Sequence, residues 1–441
     1  KHEKDSDIIV SFADEDFEKT LSKKIDGEFD SEYSECERMA AIMLFEILSE
    51  YTGIRLPWGI LTGVRPIKLL HNLVRELGTD GADKYFREKL LVTEQKTKLA
   101  LTTEKNERKI LELSKPDSFS LYISVPFCPT RCSYCSFVSQ SIEKAKKLVE
   151  PYLDLLCQEI KYTAEIAKEL NLRLETVYIG GGTPTTFSAE QLTKLITAIN
   201  ASFDMKKCRE FTIEAGRPDT ITREKLEAIL DGGCDRISIN PQTLNDEVLE
   251  AIGRRHTATQ TLEAYKLAEE IGFKHINMDL ITGLPKDTPE TFKYPLDTLC
   301  DLSPASITVH TLAMKRSSFL TLGGALVKTG AEPPAAIMMK YCEEKLPQFG
   351  YHPYYLYRQK NIAGNFENVG YAKVDKAGIY NILIMEEKQP IIALGAGGSS
   401  KLVFDQGKRI ERVENVKDVT NYIDRIDEMI ERKRKGINTW L

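Results

Sequence analysis

The sequence predicts an α/β fold in which a parallel sheet forms a partial (β/α)6 barrel. From about Ser120 to Met314, short runs rich in β-branched residues alternate with longer amphipathic stretches. This alternation of about six strands with helices is typical of a parallel sheet with right-handed crossover connections. Such a count is too small for a closed eight-stranded barrel, and we therefore expect an open or partial one.

The segments on either side lack this alternation and predict separate units. We expect residues 1–115 to form a mostly helical N-terminal domain, residues 116–315 the barrel, and residues 316–441 a smaller C-terminal α+β cover. A chain of 441 residues also exceeds the usual size of one domain, which favours several folded units.

The individual elements follow from the spacing of apolar residues. Strands are predicted near residues 121–125, 176–179, 211–214, 236–240, 276–281 and 306–310. The helices between them are predicted near residues 149–170, 189–201, 223–230, 257–271 and 290–302. Outside the barrel we predict helices near 35–50, 93–113 and 416–434, a Gly- and Pro-rich loop over 58–67, and a glycine-rich turn over 394–399.

Composition excludes some classes of function. The net charge of -6 gives no reason to expect nucleic-acid binding. No apolar stretch approaches the roughly 18–20 residues that a membrane span needs, and the first residues do not resemble a signal peptide, so we expect a cytoplasmic protein. Six of the nine cysteines are scattered singly and are interpreted as small buried apolar residues.

The other three cysteines form a cluster directly after the first barrel strand. Cys128, Cys132 and Cys135 have the spacing Cys-x₃-Cys-x₂-Cys. Thiolates suit an iron–sulfur cube, and three of them leave one of its four irons open to a small molecule. The alternatives are a structural zinc site, which usually needs a fourth ligand or a second pair, and three buried thiols.

Three glycines and four polar residues are further candidates for the site, and they fall at or near the ends of later strands. Gly180, Gly181 and Gly182 close the second strand, where a glycine run is a tight turn or a close approach to a ligand. The four polar residues are Glu214, Gln242, Arg254 and Asp279. Asp279 lies inside an apolar run and should have a partner. Each alone can be an ordinary buried hydrogen-bonding residue or, for Arg254, a surface charge.

Taken together, the cysteine spacing and the Gly-Gly-Gly-Thr-Pro-Thr stretch at 180–185 resemble the signatures of the radical S-adenosylmethionine (SAM) superfamily. The resemblance implies a [4Fe-4S] cluster on the three cysteines, with SAM chelating its open iron and being cleaved to a 5′-deoxyadenosyl radical. It also implies SAM contacts at Tyr122, Gly181, Gly182, Thr183, Glu214, Gln242, Arg254, Asp279 and Ala313.

Within that superfamily the chain is similar to the oxygen-independent coproporphyrinogen III oxidase branch, and its flanking segments resemble HemZ-type proteins. The resemblance implies an oxidoreductase of porphyrin biosynthesis that converts coproporphyrinogen III to protoporphyrinogen IX. It also implies an electron donor such as flavodoxin or ferredoxin. Phe137 stands where established anaerobic oxidases have a fourth cysteine, which is typical of haem-chaperone relatives. Haem binding and delivery, or radical cleavage of haem, are therefore alternatives.

The tail offers candidate contacts for a flat macrocycle. Tyr351, Tyr354, Tyr355, Tyr357 and Tyr371 are interpreted as core aromatics or as stacking partners of a tetrapyrrole. Arg358 and Lys360 are candidates for pairing with its propionates, and His310 for ligating haem or relaying a proton. A lone histidine in a strand is also a common structural residue.

Overall fold

In the computed structural model, residues 7–24, 35–137, 139–313, 333–360 and 362–440 are described. One eleven-stranded sheet runs through the molecule. Its centre consists of six neighbouring strands that pair in parallel, as predicted: β3 (Ser118–Val125), β6 (Arg173–Gly181), β7 (Glu210–Glu214), β8 (Arg236–Ser238), β9 (His275–Thr282) and β10 (Ser306–Thr311). Two short strands, β4 (Phe127–Cys128) and β5 (Gln140–Ser141), pair separately beside β3.

Among the described residues, seven α-helices connect the central strands; five agree with the predicted bounds to within a few residues, and the two shortest were not given predicted bounds. They are α4 (Ile142–Ala145), α5 (Val149–Glu169), α6 (Ala189–Ser202), α7 (Arg223–Asp231), α8 (Asp246–Ala251), α9 (Ala258–Ile271) and α10 (Pro289–Leu302). Capping boxes begin α6 at Ser188, α9 at Thr257 and α10 at Thr288. Each box satisfies backbone N–H groups that would otherwise lack partners, so these boundaries are fixed locally.

The central sheet has one apolar and one polar face because side chains alternate along a strand. Residues such as Leu121, Val177 and Ile213 are buried in the main hydrophobic core. The alternate positions carry hydroxyl, carboxylate and amide groups that bond across strands. We call this side the polar face, defined by Tyr122, Tyr178, Glu214, Asn277, Asp279, Thr308 and His310.

The C-terminal strands continue this sheet at both of its edges, a placement that the sequence did not predict. β11 (His352–Tyr357) and β12 (Asn368–Ala372) add antiparallel strands beside β10. β13 (Ile391–Leu394) pairs in parallel with β3 and is followed by β14 (Ser399–Phe404) and β15 (Arg409–Glu414). In the part of the chain that the structure describes, β11 and β15 are the edges, so the sheet is open.

The tail helices are α11 (Pro334–Lys345), α12 (Ile379–Glu386), α13 (Val419–Asp424) and α14 (Ile426–Trp440). The prediction of a single final helix over 416–434 is wrong. Arg425 has φ -126° and ψ 27°, which is not helical and separates α13 from α14. The α14 helix also extends six residues beyond the predicted end, to Trp440. The boundary at 315/316 lies outside the described residues.

The N-terminal segment is mostly helical, as predicted; two of its helices lie near the predicted bounds, whereas a further helix between them and a hairpin before them were not predicted individually. The helices are α1 (Glu35–Thr52), α2 (Pro66–Lys84) and α3 (Glu94–Leu111), and a hairpin of β1 (Asp7–Asp14) and β2 (Phe17–Lys24) precedes them. Buried Trp58 donates from Nε1 to Glu367 beside β12 at 2.6 Å. This bond joins the Gly- and Pro-rich loop to the barrel sheet. Among the described residues, no helix is long and apolar enough to cross a membrane.

Candidate functional site

The cysteine loop is held against the end of β6 by backbone bonds. Gly182 donates to Val125 O at 2.8 Å and Thr183 to Phe127 O at 2.7 Å. A Cβ on Gly182 would lie 2.5 Å from Phe127 O, so this approach requires glycine. Gly181 has φ 102°, which also favours glycine. The second-strand glycines therefore position the loop that carries Cys128, and contact with a ligand is a separate prediction.

The three cysteines lie in one small region. Thr183 Oγ1 is 3.5 Å from Cys128 Sγ, and Cys135 N donates to Cys132 O at 3.1 Å. Burial raises the pKa of the Cys135 thiol, and the Cys132 and Cys128 thiols act in the same direction. This electrostatic influence of both thiols on Cys135 is expected if the three side chains face a common space.

The geometry of this cluster differs from that of a mononuclear site. Among the described residues, the group of three candidate ligands whose atoms all lie within 4.8 Å of one another is at a different place in the fold and contains no cysteine. The three cysteine sulfurs are therefore not all within 4.8 Å of one another. The sulfur ligands of one tetrahedral zinc ion would be closer together, because Zn–S bonds are about 2.3 Å long. Three thiols bound to different irons of a cube need a wider spacing. The donor set therefore fits an iron–sulfur cube better than zinc.

Arg254 lies beside this cluster and is held rigidly. Its Nη1 donates to Asn240 O at 2.7 Å and to Gly216 O at 3.1 Å, and its Nη2 lies 3.3 Å from Tyr134 OH. The residue is 9% exposed, and its Nε is buried without a hydrogen-bond partner among the described residues. A buried guanidinium beside the Cys132 thiol, with no carboxylate paired to it in the part of the chain that the structure describes, fits an anionic ligand. The alternative of a surface charge is wrong.

Glu214, Asp279 and His310 meet on the polar face. Tyr178 OH donates to Glu214 Oε1 at 2.6 Å, and Asn277 Nδ2 donates to Asp279 Oδ1 at 2.7 Å. Asp279 Oδ2 is 3.6 Å from His310 Nε2. The expectation that Asp279 has a partner is confirmed. Burial acts to raise the pKa of Asp279, but hydrogen bonds led by that from His310 hold it below its usual range.

The remaining candidates occupy the same edge of the sheet. Gln242 has φ 67°, and its N–H donates to Asp279 O at 2.8 Å, so it follows β8 directly beside β9. Tyr122 is half-buried, with its ring 6.2 Å from that of Tyr178. Ala313 follows β10 and bridges to Ile362. The structure thus brings every predicted SAM-binding residue to the carboxyl-end half of the parallel strands, where α/β proteins bind ligands. Their contacts with SAM remain predictions.

Sequence reasoning missed Arg217, which approaches the cysteines from the loop after β7. Its Nη1 is 3.8 Å from Cys132 Sγ and 3.1 Å from Thr130 Oγ1. Asp219 holds it by two bonds of 2.9 Å each. The sequence contains one indication that Arg217 belongs to the site: it lies three residues after Glu214, just beyond the end of the same strand. A cation at this distance stabilises thiolate charge.

Most tail residues proposed to contact a macrocycle are buried in the protein instead. Tyr351, Tyr354, Tyr355 and Tyr371 are 5% exposed or less, which supports the core interpretation. Arg358 donates to Leu61 O and Asn365 Oδ1 and is 5% exposed. Its Nε has no hydrogen-bond partner among the described residues, and its pairing with propionates stays a prediction. The exposed Lys360 and the half-buried Tyr357 remain candidates.

Glu214 makes stability depend on pH in a predictable direction. Burial raises its pKa from 4.5 to about 7. The folded state therefore binds this proton more tightly than the unfolded state, and the stability it contributes is lost as pH rises between those values. We expect wild type to lose about 1–3 kcal/mol relative to Glu214→Gln from pH 4.5 to 8. Urea unfolding of both proteins at each pH tests this; a pH-independent difference between them would contradict it.

Comparisons with known proteins agree with this geometry. Residues 122–298 match the family model described as "Radical SAM superfamily". The chain is 40% identical to the oxygen-independent coproporphyrinogen-III oxidase-like protein HemZ of Bacillus subtilis, over 91% of this chain and 81% of that protein. It is 33% identical to the haem chaperone HemW of the same organism, over 70% of this chain and 76% of HemW. The structure of coproporphyrinogen III oxidase HemN from Escherichia coli superposes with a TM-score of 0.55 at 23% identity, covering 73% of this chain and 72% of HemN, and shows the shared fold.

Proposed function

Because the chain belongs to the radical SAM superfamily, in the branch of the coproporphyrinogen oxidase-like HemZ proteins, we propose that it decarboxylates coproporphyrinogen III to protoporphyrinogen IX without oxygen. The family implies a [4Fe-4S] cluster and SAM. The observation that carries the proposal is the meeting of the three cysteines, the buried Arg254 and the polar face at one edge of the sheet. This edge joins a cofactor site to a site suited to a polar substrate.

In this proposal the three cysteines hold the cluster and Arg254 binds the carboxylate of SAM. When bound, these groups would supply a 5′-deoxyadenosyl radical that abstracts hydrogen from the substrate. Gly181, Gly182 and Thr183 would lie along the methionyl amino group. Glu214, Gln242 and Asp279 would accept hydrogen bonds from that group or from the ribose hydroxyls, and Tyr122 and Ala313 would border the cofactor. An electron donor such as flavodoxin or ferredoxin would serve the cluster.

The substrate side of the proposal rests on His310 and Tyr357. Asp279 orients the His310 imidazole, and Tyr357 OH lies 3.5 Å from His310 Nδ1. Both side chains are partly exposed. Because Asp279 and Tyr357 face the two ring nitrogens of His310, the group that can donate to a propionate at the end of β10 is the Tyr357 hydroxyl, which accepts from Gln359 Nε2 at 3.3 Å.

A haem carrier is the second candidate function, and Phe137 favours it. Phe137 occupies the position of the fourth cysteine and is 58% exposed. An exposed aromatic ring beside the cluster loop suits contact with a flat macrocycle. The identity to HemW supports the same candidate. A haem-degrading reaction belongs to the same alternative because it also takes haem as its ligand.

Replacing Arg254 should weaken SAM binding. We expect Arg254→Lys to lower SAM affinity at least about tenfold, because an ammonium group cannot make the paired bonds of a guanidinium to a carboxylate. Equilibrium binding of SAM to cluster-loaded protein measures the effect. The matched control is Arg255→Lys, since Arg255 is the next residue and its side chain is 70% exposed. Equal affinity in both variants would remove Arg254 from the SAM site.

The choice between enzyme and carrier is tested by SAM cleavage. Cluster-loaded protein is reduced without oxygen, and 5′-deoxyadenosine is counted with coproporphyrinogen III, with haem and with neither. We expect formation to rise only with coproporphyrinogen III. Haem that binds without stimulating cleavage would favour the carrier, and stimulation by haem alone would favour haem degradation.

A further inference from the structure

A second group of candidate ligands lies away from the sheet edge, between α2, α3 and α12. His71 on α2, Glu107 on α3 and Glu386 at the end of α12 place three potential ligand atoms within 4.8 Å of one another. His71 Nε2 is 3.1 Å from Glu107 Oε2 and 3.8 Å from Glu386 Oε2. Each ligand thus comes from a different helix.

A fourth residue lies beside this histidine. Glu104 is one helical turn before Glu107 on α3, and its Oε1 is 3.1 Å from His71 Nδ1. This contact is an ion-pair distance and not a hydrogen bond, and the ring bonds through Nε2 to Glu107 Oε2. Around metal-bound histidines a carboxylate commonly accepts from the second ring nitrogen, and Glu104 lies where it could do so. Glu104 therefore matches the supporting residue of a metal ligand.

The charges in this group are poorly balanced by the protein itself. Glu107 is 0% exposed, and its Oε1 is buried with no hydrogen-bond partner among the described residues. Arg108 Nε lies 3.4 Å from Glu104, but its side chain is 46% exposed. The bases Arg65 and Lys68 pair with Glu387, and their charges also act to lower the pKa of Glu386 against the effect of burial. Buried carboxylates require a compensating cation or shared protons, and the three ligand atoms lie close enough together for one ion to contact all of them.

We propose that His71, Glu107 and Glu386 bind a divalent transition-metal ion, with Glu104 as the positioning residue of His71. One imidazole and two carboxylates suit Mn²⁺ or Zn²⁺, whereas soft thiolates suit the cluster. Glu386 is the last residue of α12, and the negative end of the helix dipole also favours a cation there.

The ion has a route of entry from solvent. A cleft of about 470 Å³ opens beside α2 and α3, and its lining includes Asp83, Glu94, Glu104 and Arg108. Because Glu104 contacts both the cleft and His71, the cleft reaches the edge of the proposed site. The charges of its lining are mixed, because Arg87, Lys98, Lys105 and Arg108 accompany the three carboxylates, so the cleft provides access without a preference for cations.

The ion would brace the helix that supports the candidate active site. Glu210 accepts from the first backbone N–H groups of α12, at 2.6 Å from Ile379 N and 3.2 Å from Tyr380 N. The Tyr380 ring stacks on Tyr178 at 4.5 Å. An ion at the other end of α12 would tie this helix to α2 and α3, and we expect it to raise the thermal stability of the chain.

Mn²⁺ is the probe that tests the site, because it has little affinity for the cysteine thiols. The cluster-loaded 441-residue protein is titrated with Mn²⁺, and free Mn²⁺ is followed by electron paramagnetic resonance. We expect one Mn²⁺ per chain in wild type and at least about tenfold weaker binding in Glu386→Gln and His71→Ala. Asp83→Asn, in the same cleft but outside the proposed ligands, should bind like wild type.

Two results would overturn the proposal. One is the absence of Mn²⁺ uptake by wild type up to millimolar concentration, which would favour protons shared between the carboxyl groups. The other is uptake that Glu386→Gln leaves unchanged. If His71→Ala does not fold, as judged by circular dichroism, the comparison of Mn²⁺ binding between Glu386→Gln and wild type tests the proposal. SAM cleavage is measured on the same samples, so loss of Mn²⁺ binding is separable from failure of the proposed enzymatic function.

Discussion

Cys132→Ser is expected to abolish the iron–sulfur cluster and, with it, all reductive SAM cleavage. Cys132 is 8% exposed, and its Sγ lies 3.8 Å from the Arg217 guanidinium. It comes four residues after Cys128 on the same loop. A serine hydroxyl is not deprotonated at neutral pH and is a poor ligand for iron. Two cysteines cannot hold the cube. Iron content and the visible absorption of the reconstituted protein measure the loss.

Cys157→Ser is the matched control, since Cys157 is a free, partly buried cysteine on α5 outside the cluster loop. It should retain iron and SAM cleavage at wild-type levels. Full iron content and SAM cleavage in Cys132→Ser would contradict the assignment of the cluster. Equal loss in both variants would indicate a general effect of cysteine replacement instead.

The second large effect is on stability, where Glu159→Ala is expected to cost about 3–5 kcal/mol of unfolding free energy. Glu159 is 0% exposed and pairs with Lys433 of α14, which is 1% exposed, at 3.0 Å. Its carboxylate also accepts from Gly395 N, Asn415 Nδ2 and Tyr422 OH at 2.7–2.8 Å. Alanine would leave the Lys433 ammonium buried without its carboxylate. Urea unfolding followed by circular dichroism gives the free energy.

Two controls separate the buried charge from a general loss of charge. Glu428→Ala removes an exposed carboxylate that pairs with Arg425, which precedes α14, and with Arg432 on α14, and it should leave the unfolding free energy nearly unchanged. The double variant Glu159→Leu with Lys433→Met removes both buried charges and should regain much of the loss. A Glu159→Ala variant as stable as wild type would contradict the role of this pair.

The sequence was sufficient for features with a local origin. The strands and helices of the barrel follow from alternating patterns and from caps such as Ser188 and Thr257, which act within four residues. The cysteine cluster was also predictable because its three ligands lie within eight residues of one another. Asp279 was identified as partnered because an acid in an apolar strand is costly without a bond.

Features that depend on distant contacts were not predictable in this way. β13 pairs with β3 although about 270 residues separate them, and nothing in either strand specifies the partner. The backbone N–H of Gly395 donates to Glu159, which lies 236 residues earlier in the chain, and the glycine-rich turn alone does not indicate this partner. The break at Arg425 between α13 and α14 has no glycine or proline to signal it. His71, Glu107 and Glu386 meet only after three helices pack.

The proposal that this chain is a coproporphyrinogen III oxidase has its sharpest test in the mass of the tetrapyrrole product. Cluster-loaded protein is incubated without oxygen with SAM, a reductant and coproporphyrinogen III, and the tetrapyrroles are analysed by mass spectrometry. Our account predicts the loss of two carboxyl groups, with 5′-deoxyadenosine formed in proportion. Coproporphyrinogen recovered unchanged from protein that holds an intact cluster and cleaves SAM would contradict it.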